Sequence, residues 1–210
     1  GAVLSLGVGT VPFAIASALA DSDKKDLGCH TGTISDAYRK LYLAGKLTNA
    51  RKEFDTGRSS FNLAMGSSDF YDWLRENPDL FRPDSIDYIH DPARIGKLSR
   101  VISINGGVQV DLMGQENAES ANGMQLSGIG GQMDFLEGAF RSAGGCGYIC
   151  INSSRLTKDG VRKSNILPFI PGGSTVSAPR TLIEAVATEY GIAHLAGKSL
   201  AERREAMIAI

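Results

Sequence analysis

The chain has 210 residues, 22 basic against 23 acidic, and a net charge of −1. No basic excess argues for nucleic acid, no polybasic run argues for a membrane surface, and the longest apolar run falls far short of the roughly 20 residues that span a bilayer. A hydrophobic content of 42% and a charged content of 21% are ordinary globular usage, with length enough for one substantial α/β domain or two small ones. The three cysteines, Cys29, Cys146 and Cys150, have no metal-ligand spacing and read as reduced packing thiols of a cytoplasmic protein.

In chain order, Val3–Leu6 reads as a strand, Gly7-Val8-Gly9-Thr10 as a tight turn, and Ala14–Ala20 as a helix with Pro12 in its first turn. The GxG lacks the third glycine and the acidic residue of a dinucleotide fingerprint. What remains is a helix N-terminus whose free N–H groups favour negative charge. Leu27–His30 is strand-like, and Thr31–Asp36 leads into a helix over Ala37–Ala44 that Gly45 closes. Ser60–Met65 is a strand, Ser67-Ser68-Asp69 caps a helix over Phe70–Glu76, and Asn77-Pro78 stops it. A short strand is expected at Ile86–Ile89 and a small helix at Ala93–Lys97, capped by Asp91-Pro92.

The stretch Val101–Phe135 is the richest in site chemistry. It holds a strand (Val101–Ile104), a break at Asn105-Gly106-Gly107, an alternating strand (Val108, Val110, Leu112) and a polar segment, Gln115–Asn122. A glycine loop, Ser127-Gly128-Ile129-Gly130-Gly131-Gln132, then runs into Asp134-Phe135. Glycines this dense let backbone approach a ligand and leave N–H groups free. Downstream, Gly144-Gly145 precedes a strand at Tyr148–Ile151. A turn at Lys158-Asp159-Gly160 carries Arg155, Arg162 and Lys163, either a solvated basic turn or a phosphate contact. Strands are expected at Ile166–Ile170 and Leu182–Thr188, a helical turn at Ile192–Leu195, and a last helix capped by Ser199.

Alternating strands and helices imply an α/β fold, an open, mostly parallel sheet with helices on both faces, whose ligands bind at the carboxyl ends of the strands. Three glycine clusters near strand ends, Gly7/Gly9, Gly128/Gly130/Gly131 and Gly144/Gly145, point to a shared anion or acyl-oxygen site. Glu119 and Glu189 stand in largely uncharged surroundings, as ion-pair partners or site carboxylates. His30, His90 and His194 have no HxH or HxxxH spacing, so no metal is expected. There is no GxSxG elbow. A strand at the very start and a last helix without a closing cap imply a chain cut at both ends.

These motifs, in order, resemble the C-terminal half of the acetyl-CoA hydrolase/transferase family, which includes the butyryl-CoA and 4-hydroxybutyrate CoA-transferases. The resemblance is carried by Leu6-Gly7-Val8-Gly9-Thr10-Val11-Pro12, Gly28-Cys29-His30-Thr31-Gly32, Ser103-Ile104-Asn105, Val110-Asp111-Leu112-Met113-Gly114-Gln115, Ala118-Glu119-Ser120, Ser127–Phe135, Thr188-Glu189-Tyr190-Gly191-Ile192-Ala193 and Gly197-Lys198-Ser199-Leu200. It implies two similar α/β/α halves with the active site between them, residues 1–210 being the second. The implied substrate is coenzyme A as an acyl-CoA thioester, with a carboxylate acceptor; the implied partner is the N-terminal half of the same enzyme, in a homo-oligomer, without metal. By the family's pattern, backbone N–H groups of Val8 and Gly145 form the oxyanion hole, Asn105 positions the acyl or carboxylate substrate, and Glu189 pairs with the missing half. Gly128, Gly130, Gly131 and Gln132 shape the acyl and pantetheine channel, and Arg162 or Lys163 meets CoA phosphate. The family's transferases carry a nucleophilic glutamate after a His-Thr or Tyr-Thr pair. Here His30-Thr31 is followed by Gly32. Three readings follow: a short-chain CoA-transferase or acyl-CoA hydrolase, a catalytically silent acyl-CoA-binding module, and, more remotely, a relative of the sugar-phosphate isomerases.

Overall fold

A computed structural model describes residues 1–210. Its first half alternates strand and helix: β1 (Val3–Leu6), α1 (Thr10–Ala20), β2 (Gly28–Ile34), α2 (Asp36–Leu43), β3 (Ser59–Ala64), α3 (Ser68–Glu76), β4 (Phe81–Pro83), α4 (Ile86–Ile89), α5 (Pro92–Ile95) and β5 (Val101–Gly106). Short pieces follow, β6 (Gln109–Asp111), β7 (Glu116–Asn117), β8 (Ser120–Ala121) and β9 (Met124–Gln125), then α6 (Gln132–Arg141) and β10 (Cys146–Cys150). The chain ends with β11 (Ser154–Leu156), β12 (Arg162–Ser164), β13 (Ile166–Leu167), β14 (Ala185–Ala187), β15 (Ile192–His194) and α7 (Leu200–Ile208).

Eight strands form one sheet in the order β15-β14-β10-β5-β1-β2-β3-β4, parallel except for β15. Strand alternation explains the layers, because successive side chains leave opposite faces. Leu4 and Leu6, with Ile104 beside them, enter a core with Ala16 of α1 and Ala37, Tyr38 and Leu41 of α2. Val3 and Val101 face the other way, into a core with Ile95 of α5 and Phe135 and Ala139 of α6. A third core joins Val110, Leu136, Ile149 and Val186 to Met207 of α7. No helix is long and apolar enough to cross a membrane.

Several local expectations give way. Ile86–Ile89 is α4, not a strand: Ile89 and His90 donate their N–H groups to Ser85 and Ile86 carbonyls, so the segment satisfies its backbone locally while β4 takes the sheet edge. Ile192–His194 is an antiparallel edge strand, not a helical turn, and its exposed–buried–exposed alternation has a strand's period. Pro168 halts β13 after Leu167, and β13 pairs with β6 in a small separate sheet. Helix α6 grows straight from the glycine loop, with Phe135, Leu136 and Ala139 on its buried side.

The chain runs β1 to β4 toward one edge, then returns to lay β5 on the far side of β1. Such a reversal opens a crevice at the carboxyl ends of the strands. Tyr38 holds its wall: the fully buried hydroxyl accepts the Leu6 N–H at 2.7 Å and donates to the Leu4 carbonyl at 3.3 Å, past the last β1–β2 pair at Leu4–Cys29. Tyr38→Phe strands the Leu6 N–H in the interior and should destabilise the fold by about 1–3 kcal/mol. Urea unfolding measures this; an unchanged midpoint would show that the hydroxyl is dispensable.

Candidate active site

A cavity of about 540 Å³ opens at the crevice, within the usual range for small-molecule sites. β1 and its turn contribute Leu6, Gly7 and Val8; β2 contributes Thr31, Gly32 and Thr33; β3 contributes Asn62 and Leu63; β5 contributes Asn105 and Gly106. The glycine loop closes it with Ile129–Gln132, and α4 brings Ile86 and, just beyond its end, His90. No Asp or Glu lines it.

The donors are backbone. Val8 sits in the β1–α1 turn, Gly130 and Gly131 lead into α6, and none of their three N–H groups has a partner in the chain. Both turns open helices, whose first N–H groups are unpaired and favour negative charge. Asn105 donates its amide to Ser103 Oγ at 2.9 Å, which leaves its carbonyl oxygen free at the cavity wall.

His90 is the one titratable side chain on the wall. Its Nδ1 lies 3.1 Å from Asp134 Oδ2 and its Nε2 3.1 Å from Asn62 Oδ1, and Phe135 meets the ring edge-on at 5.1 Å. The ring fills space that two glycines vacate. A Cβ on Gly131 would come within 2.2 Å of it, and one on Gly32 within 2.9 Å of Nε2. His30, fully buried next to Thr31, gives its Nε2 to the Ile89 carbonyl at 2.8 Å, and burial pushes it down to about 4, so it stays neutral.

Behind the wall, Gln132 donates to Glu116 Oε2 at 2.7 Å, while Oε1 has no partner. Burial, opposed by the Gln132 bond and reinforced by Glu119, pushes the Glu116 carboxyl up to about 7. Glu119 is itself buried and accepts from Gln125 at 2.8 Å.

The expected site residues divide. Val8, Gly32, Asn105, Gly130, Gly131 and Gln132 meet at the cavity. Gly128 lies just outside it. Gly145 is at the opposite, amino end of β10, its N–H is spent on the Ser142 carbonyl, and a Cβ there would strike the Ala139 carbonyl oxygen; it packs α6 against the sheet and is no neighbour of Val8. Glu189 sits outside the cavity on the exposed β14–β15 turn, where Ser153 gives it two hydrogen bonds that hold its carboxyl below the usual range. Arg162 and Lys163 lie on the exposed β12, Arg162 bonding Ser154, away from the cavity wall. His90, Asn62 and Asp134 are the site residues that spacing did not assemble. His90 and Asp134 are 44 positions apart, and only the packing of α4 against β3 and of α5 against α6 joins them. No group of three or more His, Cys, Asp or Glu side chains stands close enough to hold a metal ion.

The acetyl-CoA hydrolase/transferase C-terminal domain family matches residues 66–210. The butyryl-CoA:acetate CoA-transferase of Anaerostipes caccae is 43% identical over the whole chain, which covers 47% of that protein. An acetyl-CoA hydrolase of Yarrowia lipolytica is 30% identical over 98% of the chain, covering 37% of its own length. Among solved structures, RipA from Yersinia pestis superposes with a TM-score of 0.89 at 39% identity, and a 4-hydroxybutyrate CoA-transferase from Porphyromonas gingivalis with 0.83 at 34%. Both cover the whole chain, which spans 46% and 47% of them. The chain thus spans about half the length of the curated CoA-transferases it matches.

Glu116 generates a pH test. Its folded value near 7 lies above the ordinary 4.5, so between these the folded chain keeps a proton that the unfolded chain has released. Stability therefore falls as pH rises through this window, by about 3 kcal/mol at most. Glu116→Gln removes the effect, so its stability advantage over the wild type should grow by about that amount from pH 4.5 to pH 8 in urea unfolding. An advantage that does not change with pH would mean that Glu116 ionises normally.

Proposed function

The chain belongs to the acetyl-CoA hydrolase/transferase family, and on that footing we propose that residues 1–210 are the C-terminal half of an enzyme that binds a short-chain acyl-CoA thioester in the β1–β5 crevice. The observation that carries this reading is the set of free N–H groups on one cavity, Val8 on one side and Gly130 and Gly131 on the other. Aimed at a thioester carbonyl, they would hold the oxygen as it gains charge, at roughly 3–4 kcal/mol per donor in a dry site. Gly130 or Gly131 thereby takes the role that Gly145 has no geometry to fill. The free carbonyl oxygen of Asn105 would orient the acyl group or acceptor. The relatives' greater length leaves room for an N-terminal half to face the cavity, and Glu189, exposed on the β14–β15 turn, would pair with it.

Transfer through a glutamyl-CoA intermediate has no carrier here, because position 32 is glycine and no carboxylate lines the wall. That gap favours a second reading, binding of acyl-CoA without transfer.

Gly106 supplies the binding test. It lies on the wall in extended backbone, and a Cβ there meets nothing within 4 Å, so Gly106→Leu should narrow the cavity without strain. Calorimetry of the full-length protein with acetyl-CoA should show binding that survives chelation and weakens at least tenfold in Gly106→Leu. Equal affinity in the variant would place the thioester elsewhere. A restored carboxylate tests the transfer argument. Gly32→Glu alone collides with His90, whereas Gly32→Glu with His90→Ala makes room for the side chain. The double variant should form a borohydride-sensitive glutamyl-CoA adduct and the wild type none; an adduct in the wild type would reveal another nucleophile.

A further inference from the structure

Where a glutamate would stand at position 32, the cavity holds an imidazole. His90 Nε2 is 2.9 Å from the point a Cβ on Gly32 would occupy, and the opposite ring nitrogen is held by Asp134. We propose that His90, positioned by Asp134, is the general base of a water-dependent reaction at this site, so that the enzyme hydrolyses acyl-CoA rather than transferring CoA. The inference rests on the thioester reading above and says what chemistry remains once the glutamate is gone.

Three features support it. The ring is locked, with Gly32 and Gly131 beneath it and Phe135 across its edge, so Nε2 has one place to be. An Asp on Nδ1 fixes that nitrogen as the proton carrier and stabilises the imidazolium once it forms, the relation that makes histidine an effective base. Asn62, which faces Nε2, is exposed and can turn its amide to donate to the nitrogen or swing aside for water. Of the elements packed around the ring, α6 brings Asp134, β2 brings Gly32 and the neutral His30, β3 brings Asn62, and the glycine loop brings no charge. Asp134 is the only ion acting on it at contact distance.

The step balances without a further reactant. Water gives a proton to His90 Nε2 as its oxygen bonds to the thioester carbon, and the carbonyl electrons move onto the oxygen held by the Val8 and glycine-loop N–H groups. The tetrahedral adduct collapses, the C–S bond breaks, and the proton on Nε2 passes to the departing sulfur. Acyl-CoA and water yield a carboxylic acid and CoA thiol.

The test uses the full-length protein and acetyl-CoA. The wild type should release CoA thiol with one oxygen of the acetate drawn from labelled water, at a rate that added carboxylates do not raise. The rate should fall at acid pH on a limb set by His90. His90→Gln should lower kcat at least 100-fold and abolish that limb while the calorimetric Kd changes less than threefold. Asp134→Asn should lower kcat about tenfold while the calorimetric Kd changes less than threefold, because the ring loses the group that orients it. Free imidazole should restore turnover to His90→Ala. Full hydrolysis with an unaltered pH profile in His90→Gln, or a wild type that binds acetyl-CoA and leaves it intact, overturns the dyad alone. Failure of the wild type to bind acetyl-CoA overturns the thioester reading, and the dyad with it. Should His90→Gln misfold, the wild-type pH profile, the label and Asp134→Asn still decide.

Discussion

The reversal of strand order at β1 is the constraint on which the rest depends. Because β2 and β5 flank β1 while their helices leave on opposite faces, the carboxyl ends of three neighbouring strands gather without a helix to cover them. Three features meet there: the unpaired Val8 N–H in the turn before α1, the loop that begins α6, and the wall of β2. Each is ordinary alone. Their convergence turns unsatisfied backbone into a polar cavity.

Within that cavity, volume is exchanged rather than added. Glycine at 32 and at 131 removes two side chains, and one imidazole takes up the space. Gly32 is in extended backbone that any residue can adopt, so its role here is spatial rather than conformational. A carboxylate at 32 and His90 in its present position exclude one another by contact.

The polar stretch after β6 has a structural purpose that its composition conceals. Asp111 accepts from the Met113 and Gln115 N–H groups and from the Gln115 amide, and Asn117 accepts from Glu119 and Ser120. Asp111, Asn117, Glu119 and Ser120 are buried, and these bonds tie the turns around the small β13-β6-β7 sheet together. Glu116 is the member left half-satisfied, and its link to Gln132 is the one thread from this network to the cavity wall. A buried polar network that is nearly complete rigidifies its surroundings, and its one incomplete member is where pH enters.

By itself, the sequence determined the alternation of strands and helices, the parallel sheet, and the glycine turns at Val8 and at Gly130–Gly131, because periodicity, caps and glycine density act over a few residues. It also exposed the missing carboxylate, since Gly32 follows His30-Thr31 directly. The tertiary structure alone decided which glycines share an edge. Gly145 precedes its strand while the Val8 turn follows its own, and in a parallel sheet those positions lie at opposite ends. It alone made α4 a helix, where Ile89 and His90 pair their N–H groups with the Ser85 and Ile86 carbonyls instead of extending the sheet past β4. And it alone joined His90 to Asp134 and to the space above Gly32, a contact across 44 residues that exists only because two helices and a strand pack around one ring.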